Sequence, residues 1–143
     1  LQESAMEPTY SVGQKFFVNR ALYKIKSPKR GDVIVFKTSA SDDAALHIRR
    51  VIGLPGETVQ IKEGQIYING NVYEENGAYQ EIADGGLADS AITLESGEYF
   101  VLGDNRNNSE DSRFSDIGNI SKKYIVGKIW FTVSPKSKIG FIR

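Results

Sequence analysis

The stretch TVQIKEGQIYING, residues 58–70, alternates apolar and polar side chains on both sides of Glu63-Gly64 and closes on Asn69-Gly70. Side chains of a strand point alternately to opposite faces, so this period of two suits a half-buried strand and leaves a helix with no continuous apolar face. The two short breaks are hairpin chemistry, because Asn-Gly and similar pairs tolerate the backbone that tight turns need. Residues 59–61 and 65–68 are therefore expected to pair, with Asn69-Gly70 turning the chain again toward Val72.

The same signature recurs along the chain. KFFVNRALYKI from Lys15, DVIVFKT from Asp32, LHIRRVIG from Leu46, EYFVLGD from Glu98 and YIVGKIWFTV from Tyr124 are rich in β-branched and aromatic residues. Turn residues separate them at 28–31, at Pro55-Gly56 and at 103–108. A mostly β, antiparallel architecture follows, with helix confined to single turns near 41–45 and 120–124. Residues 74–96 differ, being small and acidic around Gly85-Gly86, and read as an insertion or long loop. Within that reading Gly85-Gly86 is a disordered loop, and Glu74-Glu75, like Asp42-Asp43, is solvated charge.

Charge and residue usage exclude several classes of function. The 143-residue chain carries 18 Lys+Arg against 18 Asp+Glu, and its basic residues are not gathered into one tract, so nucleic acid is not an expected partner. It has no cysteine, which removes disulfides, thiolate nucleophiles and cysteine zinc sites. With His47 the single histidine, neither a histidine metal cage nor a Ser-His-Asp triad has material, and no metal or cofactor is expected. No apolar run approaches the roughly 18 residues that a membrane helix needs, so the chain as written is expected to be soluble. Its opening LQES is expected to be a cut edge.

Three separated stretches hold the candidate chemistry: AMEPTY at 5–10, HIRRVIGLPGE at 47–57 and GDNRNNSEDSR at 103–113. Taken singly they are a proline turn, a strand closed by a Pro-Gly turn, and a polar loop of Asx turns. Together, in this order and in a β context, they resemble type I signal peptidases of the Gram-positive type, the membrane-anchored serine proteases that remove signal peptides from exported proteins. The resemblance runs through nearly the whole chain. It implies the signal-peptidase fold: an antiparallel catalytic-type core at residues 1–69 and 98–143, with a small discontinuous insertion at 70–97.

That family uses a Ser-Lys dyad, in which burial lowers the lysine pKa until the neutral amine takes the serine proton. The resemblance puts the nucleophile position at Ala5 and the general-base position at Arg49, followed by the family's arginine at Arg50. Alanine has no attacking oxygen, and arginine, with a pKa above about 12, keeps its proton. Ser4, in a segment expected to be extended, should face away from the site and not substitute. The supporting residues implied by the resemblance are present: Ser109 where a hydroxyl bonds the lysine, and Asp111 and Arg113 where a carboxylate and guanidinium back the site, with Ser112 between them. The backbone N–H of Ala5 would serve an oxyanion, while the charge of Glu3, two places earlier, would oppose one. The chain as written is expected to be inactive.

The resemblance also implies substrate binding by strand addition, with a peptide lying between residues 1–4 and 46–48. Met6, Pro8, Leu46, His47 and Ile48 are the expected substrate-binding residues, His47 being a strand residue that faces solvent or the groove. Trp130, Phe131 and Phe141 are open to two readings, membrane contact or one face of a half-buried strand. Expected partners are signal peptides of the Ala-x-Ala type or pilin precursors, a membrane surface, and sortase or pilins if the chain is a pilus assembly factor. The implied location is the outer face of the cytoplasmic membrane, with a membrane helix before Leu1. Two accounts of the missing dyad stay open: a natural non-catalytic relative that grips pilin precursors, or an active signal peptidase I inactivated by substitution.

Overall fold

The computed structural model describes residues 4–41, 43–133 and 139–141. Two antiparallel sheets carry the chain. The larger sheet sets β1 (Lys15–Asn19), β10 (Ile125–Val133), β2 (Val33–Phe36), β3 (His47–Gly53), β8 (Glu98–Leu102) and β9 (Ile120–Ser121) side by side in that order, and β11 (Ile139–Phe141) also pairs with β10. The smaller sheet runs β6 (Asn71–Val72), β5 (Gln65–Ile68), β4 (Thr58–Lys62) and β7 (Ile92–Thr93). The expected hairpin is present in register, with Val59 opposite Ile68 and Ile61 opposite Ile66. Glu63 and Asn69 sit at φ 54° and 51°, the left-handed backbone that Glu-Gly and Asn-Gly were expected to supply. The mostly β, antiparallel architecture expected from the sequence is the one observed.

Alternation along the strands fills both faces of the large sheet. Val33 and Val35 of β2 pack with Met6, Tyr10, Ile48 and Ile129 on one face, while Ile34 and Phe36 pack with Val51, Tyr99 and Val101 on the other. A third cluster joins the two sheets, since Ile52, Phe100 and Leu102 of β3 and β8 pack with Val59, Ile61, Ile66 and Ile68 of β4 and β5. The smaller sheet begins at Thr58, and among the described residues β4 and β5 bond to each other and to β7 and β6 but to no strand of the larger sheet.

Local chemistry explains where the structure departs from the expected elements. The strand pattern from Lys15 ends at Asn19, whose Oδ1 accepts the N–H groups of Ala21 and Leu22 at 3.1 and 3.0 Å and turns the chain into a short helix, α1 (Leu22–Ile25). Near 41–45 the Ala44 N–H donates to the Ser41 carbonyl at 3.1 Å and the described residues there form no helix; Asp42 lies outside the described residues. At 120–124 the expected helical turn is a short strand followed by a 3-10 turn (Lys122–Tyr124). Period-two alternation in β10 is broken by a bulge. Phe17 faces Phe131 and Val18 faces Ile129, so Trp130 is the extra residue and its ring lies 6.4 Å from that of Phe17. For Phe131 and Phe141 the structure describes the strand and not the side chain.

The segment 74–96 is built into the molecule. Gly86, at φ 55°, approaches so closely that a Cβ there would lie 2.3 Å from the Arg113 carbonyl, and the next residue, Leu87, donates its N–H to that carbonyl at 2.7 Å. Gly85-Gly86 is thus a packed junction rather than a disordered loop. Glu75 corrects the solvated-charge reading as well: it pairs with Arg106, which is almost fully buried.

Candidate active site

Residues 4–10 form successive turns, with the Glu7 N–H on the Ser4 carbonyl at 3.1 Å and the Tyr10 N–H on the Met6 carbonyl at 2.9 Å. Met6 and Tyr10 are driven into the core beneath, which fixes the turn. The loop 103–113 wraps around it. The Asn105 N–H donates to the Ala5 carbonyl at 2.8 Å, Asn105 Nδ2 to the Ser4 carbonyl at 3.2 Å, and Thr9 Oγ1 to Asp104 Oδ2 at 2.6 Å. The segment is turned rather than extended, so Ser4 does not face away as expected. Ser4 and Ala5 both line the same groove, and the Ser4 hydroxyl accepts from Asn108 Nδ2 at 3.2 Å. An amide takes no proton, so Ser4 still lacks a base.

Strand β3 sends its residues to opposite faces. Ile48 packs with Met6, and Arg50 beside it on that face grips Asp104 with Nε and Nη2 at 2.8 and 2.7 Å. Burial pulls the Arg50 pKa down, but the hydrogen bonds and charge of Asp104 more than offset it, and the net shift is upward. Burial likewise pushes the neighbouring Tyr10 phenol up, so it stays neutral beside this pair. On the other face His47 lies against Phe36, ring centroids 5.7 Å apart, and Arg49 is 2% exposed. Arg49 Nε donates to the Glu110 carbonyl and Nη1 to the Ile48 carbonyl, both at 2.7 Å, tying β3 to the loop.

Behind the groove Asp111 has 0% exposure and gathers donors. It accepts from the N–H of Gly103 at 3.0 Å, from Arg113 Nε and Nη2 at 2.8 and 2.9 Å, and from the Ser109 hydroxyl at 2.9 Å. Gly103 has to be glycine: a Cβ there would lie 2.1 Å from Ser109 Oγ and 2.6 Å from the Ala5 carbonyl oxygen. That close approach brings Ser109 up to the Ala5 segment. The Arg113 guanidinium also reaches the Asp84 carbonyl at 3.1 Å, so the segment after Glu75 closes the back of the site.

A groove of about 860 Å³ opens here, and Ala5, His47, Arg49, Ser109 and Arg113 line it. Asp111 lies directly behind. Met6 and Ile48, expected at the substrate, are buried in the core below; Leu46 is exposed just before β3; Pro8 lies in a separate recess with Tyr79 and Asp104. Residues 1–3, expected to form the other groove strand and to bring Glu3 near the site, lie outside the described residues.

Residues 1–134 match the family model described as signal peptidase, peptidase S26. The chain belongs to the signal peptidase family. It is 36% identical over 146 residues to a signal peptidase I of Leptolyngbya laminosa, covering 98% of this chain and 70% of that protein. It is 31% identical over 146 residues to the "Probable signal peptidase I-2" of Synechocystis, covering 99% of this chain and 65% of that protein. Thus the chain spans roughly two thirds of the length of these curated relatives. The crystal structure of a signal peptidase I from Enterococcus faecalis matches with a TM-score of 0.55 at 33% identity, over 73% of this chain and 97% of that one.

In the groove Ala5 presents no side-chain oxygen and Arg49 presents a guanidinium, beside the Ser109–Asp111–Arg113 cluster. Sequence reasoning missed the cluster that joins this site to the smaller sheet. Arg106 donates to the Gly103 carbonyl at 2.9 Å, pairs through Nη2 with Glu75 at 2.6 Å, and lies 4.2 Å from the centre of the Tyr79 ring. A basic residue in the third motif and the acidic pair Glu74-Glu75 that opens the 74–96 segment were the available signal, yet nothing in the spacing linked positions 31 residues apart. Signal peptidase I is a membrane-associated family; among the described residues no helix is long and apolar enough to cross a membrane.

Proposed function

We propose that this chain is a signal peptidase I domain that holds the cleavage region of an exported precursor in the groove beside Ala5 and does not hydrolyse it. The observation that carries the reading is the pairing of an open groove and an intact Ser109–Asp111–Arg113 shell with a guanidinium at position 49 and no oxygen at position 5. A group that keeps its proton cannot activate water or serine as a base. The relatives are named signal peptidases, which supports signal-peptide-bearing precursors as clients ahead of pilin precursors. The same names, with the preserved shell, favour the account in which the scaffold of an active serine endopeptidase was altered at its dyad.

The test is a pair of measurements on the purified chain with an Ala-x-Ala signal-peptide analogue. Backbone amide shifts are expected at Ala5, at 47–49 and at 105–109 on titration, while mass spectrometry finds the peptide intact. Specific cleavage abolished by Ser4→Ala would overturn the loss of chemistry, and the absence of any shift at millimolar peptide would overturn binding.

A further inference from the structure

The segment that follows β6 meets the site loop through one aromatic ring. Tyr79 lies half-buried, its ring centre 4.2 Å from the guanidinium carbon of Arg106 and 6.0 Å from that of Arg50. A guanidinium is drawn to a ring face by the ring quadrupole, and the attraction grows as the pair leaves water. Burial pushes the Tyr79 phenol pKa up, with Asp104 and Glu75 adding to the rise while Arg50 and Arg106 oppose it, so the ring stays neutral.

The two arginines hold consecutive residues of the loop. Arg106 Nε donates to the Gly103 carbonyl, and Arg50 grips the Asp104 carboxylate through Nε and Nη2. At this corner the parts of the site come closest together, since a Cβ on Gly103 would meet both Ser109 Oγ and the Ala5 carbonyl oxygen. Asp104 also accepts the hydroxyl of Thr9, from the turned segment that carries Ala5. Arg106 itself lines the groove and, beyond it, a second hollow of about 250 Å³. One ring thus faces both cations that fix the Gly103–Asp104 corner.

Packing alone does not fix that ring. Tyr79 borders both the 250 Å³ hollow and the recess of about 350 Å³ shared with Pro8. Two residues earlier Gly77, at φ 152°, leaves it room, because a Cβ there would lie 3.0 Å from Tyr79 Cε2. We propose that Tyr79 is a positioning residue of the peptide groove: stacked on Arg106 and Arg50, it holds the Gly103–Asp104 corner, and with it the spacing of Ala5 and Ser109, in the arrangement that a bound peptide needs. Its effect on peptide affinity rests on the proposed function; its effect on the corner does not.

Tyr79→Leu keeps an apolar side chain and removes the ring face. In the free chain it is expected to shift the backbone amides of Ala5, Gly103, Asp104 and Ser109 and the Nε–H signals of Arg50 and Arg106. It should also weaken an Ala-x-Ala signal-peptide analogue about tenfold. Tyr79→Phe keeps the ring face and should retain parental affinity. Phenylalanines of rising fluorine content at position 79 keep the shape and drain the face of charge, so affinity should fall stepwise along the series. That series decides the matter if a melting curve shows Y79L to be unfolded. Tyr67→Leu, which removes a ring 4.5 Å from Lys62 Nζ, is the control and should leave these signals and the affinity unchanged. Parental signals and affinity in Y79L, a flat fluorine series, or an equal loss in Y67L overturns the positioning role. A loss in Y79F equal to that in Y79L assigns the effect to the hydroxyl and overturns the stacking. A parental chain that binds no peptide sinks the proposed function instead, and the free-chain signals of Y79L then decide the role of Tyr79.

Discussion

Arg49 donates through two different nitrogens to two carbonyls, Glu110 on the loop and Ile48 on its own strand. A lysine ammonium replaces this fork with a single point of attachment, so Arg49→Lys exchanges a tie between elements for a titratable base. Ser109 lines the same groove and is the hydroxyl that would orient that base. Its hydroxyl donates to Asp111, which leaves its own lone pairs to accept from a lysine Nζ. Ala5→Ser alone is expected to stay at background, because serine gains no base, and Arg49→Lys alone supplies no nucleophile. The double variant is expected to cleave an Ala-x-Ala peptide about 10²–10⁴ times faster than Ala5→Ser, the range of general-base catalysis. If the double variant stays silent until Glu3 is also replaced by glycine, the charge of Glu3 is the remaining obstacle; kinetics on the double and triple variants side by side distinguish the two.

The loop 103–113 holds its shape through a buried carboxylate rather than through regular pairing. Asp111→Asn keeps the size of the side chain and removes the charge that faces Arg113, leaving a buried guanidinium without its counter-ion. A loss of about 3 kcal/mol is expected, seen as a fall in melting temperature of roughly 10 °C. An unchanged melting curve would show that the pair does not support the loop. A second element, the Pro55-Gly56 turn, is tied by Glu57, which accepts from Arg30 at 2.6 and 2.8 Å and from the Leu54 N–H at 2.7 Å. The Arg30 hydrogen bonds hold the Glu57 pKa below the ordinary glutamate range. Because the folded value is the lower one, this contribution is full above the ordinary glutamate pKa and is lost as pH falls through the depressed value. Glu57→Gln should therefore flatten the acid limb of stability against pH and leave its slope near neutrality unchanged, as read by denaturant melts across that range.

Across the whole molecule, the smaller sheet and the site loop are joined by polar ties as well as by the shared core. Glu75 binds Arg106, Asn107 Oδ1 accepts the Ala83 N–H at 2.9 Å, and the Arg113 carbonyl accepts the Leu87 N–H. Glu75→Gln leaves Arg106, 1% exposed, without its anion. A loss of about 2–4 kcal/mol is expected, with faster amide exchange at 82–88 and 105–109 together. Faster exchange on one side alone would show that the two parts are not coupled through this pair.

The period-two pattern and its Gly turns determined the strands, the hairpin at 58–68 and the antiparallel class, because side-chain alternation and positive φ are local properties written residue by residue. The three motifs, through the family they resemble, named Ala5, Arg49, Ser109, Asp111 and Arg113 as candidates, and the fold sets four of these around one groove with Asp111 behind it. Other features were decided only by the fold. Tertiary packing buried Met6 and Ile48 instead of leaving them at the groove, turned Ser4 toward the site, and paired Glu75 with Arg106 across 31 positions. It also brought Arg20 and Lys24 to Lys122, about a hundred residues away. Such partners meet through the order in which strands lie in a sheet, and that order is set by the joint burial of apolar faces, which no short stretch of sequence contains.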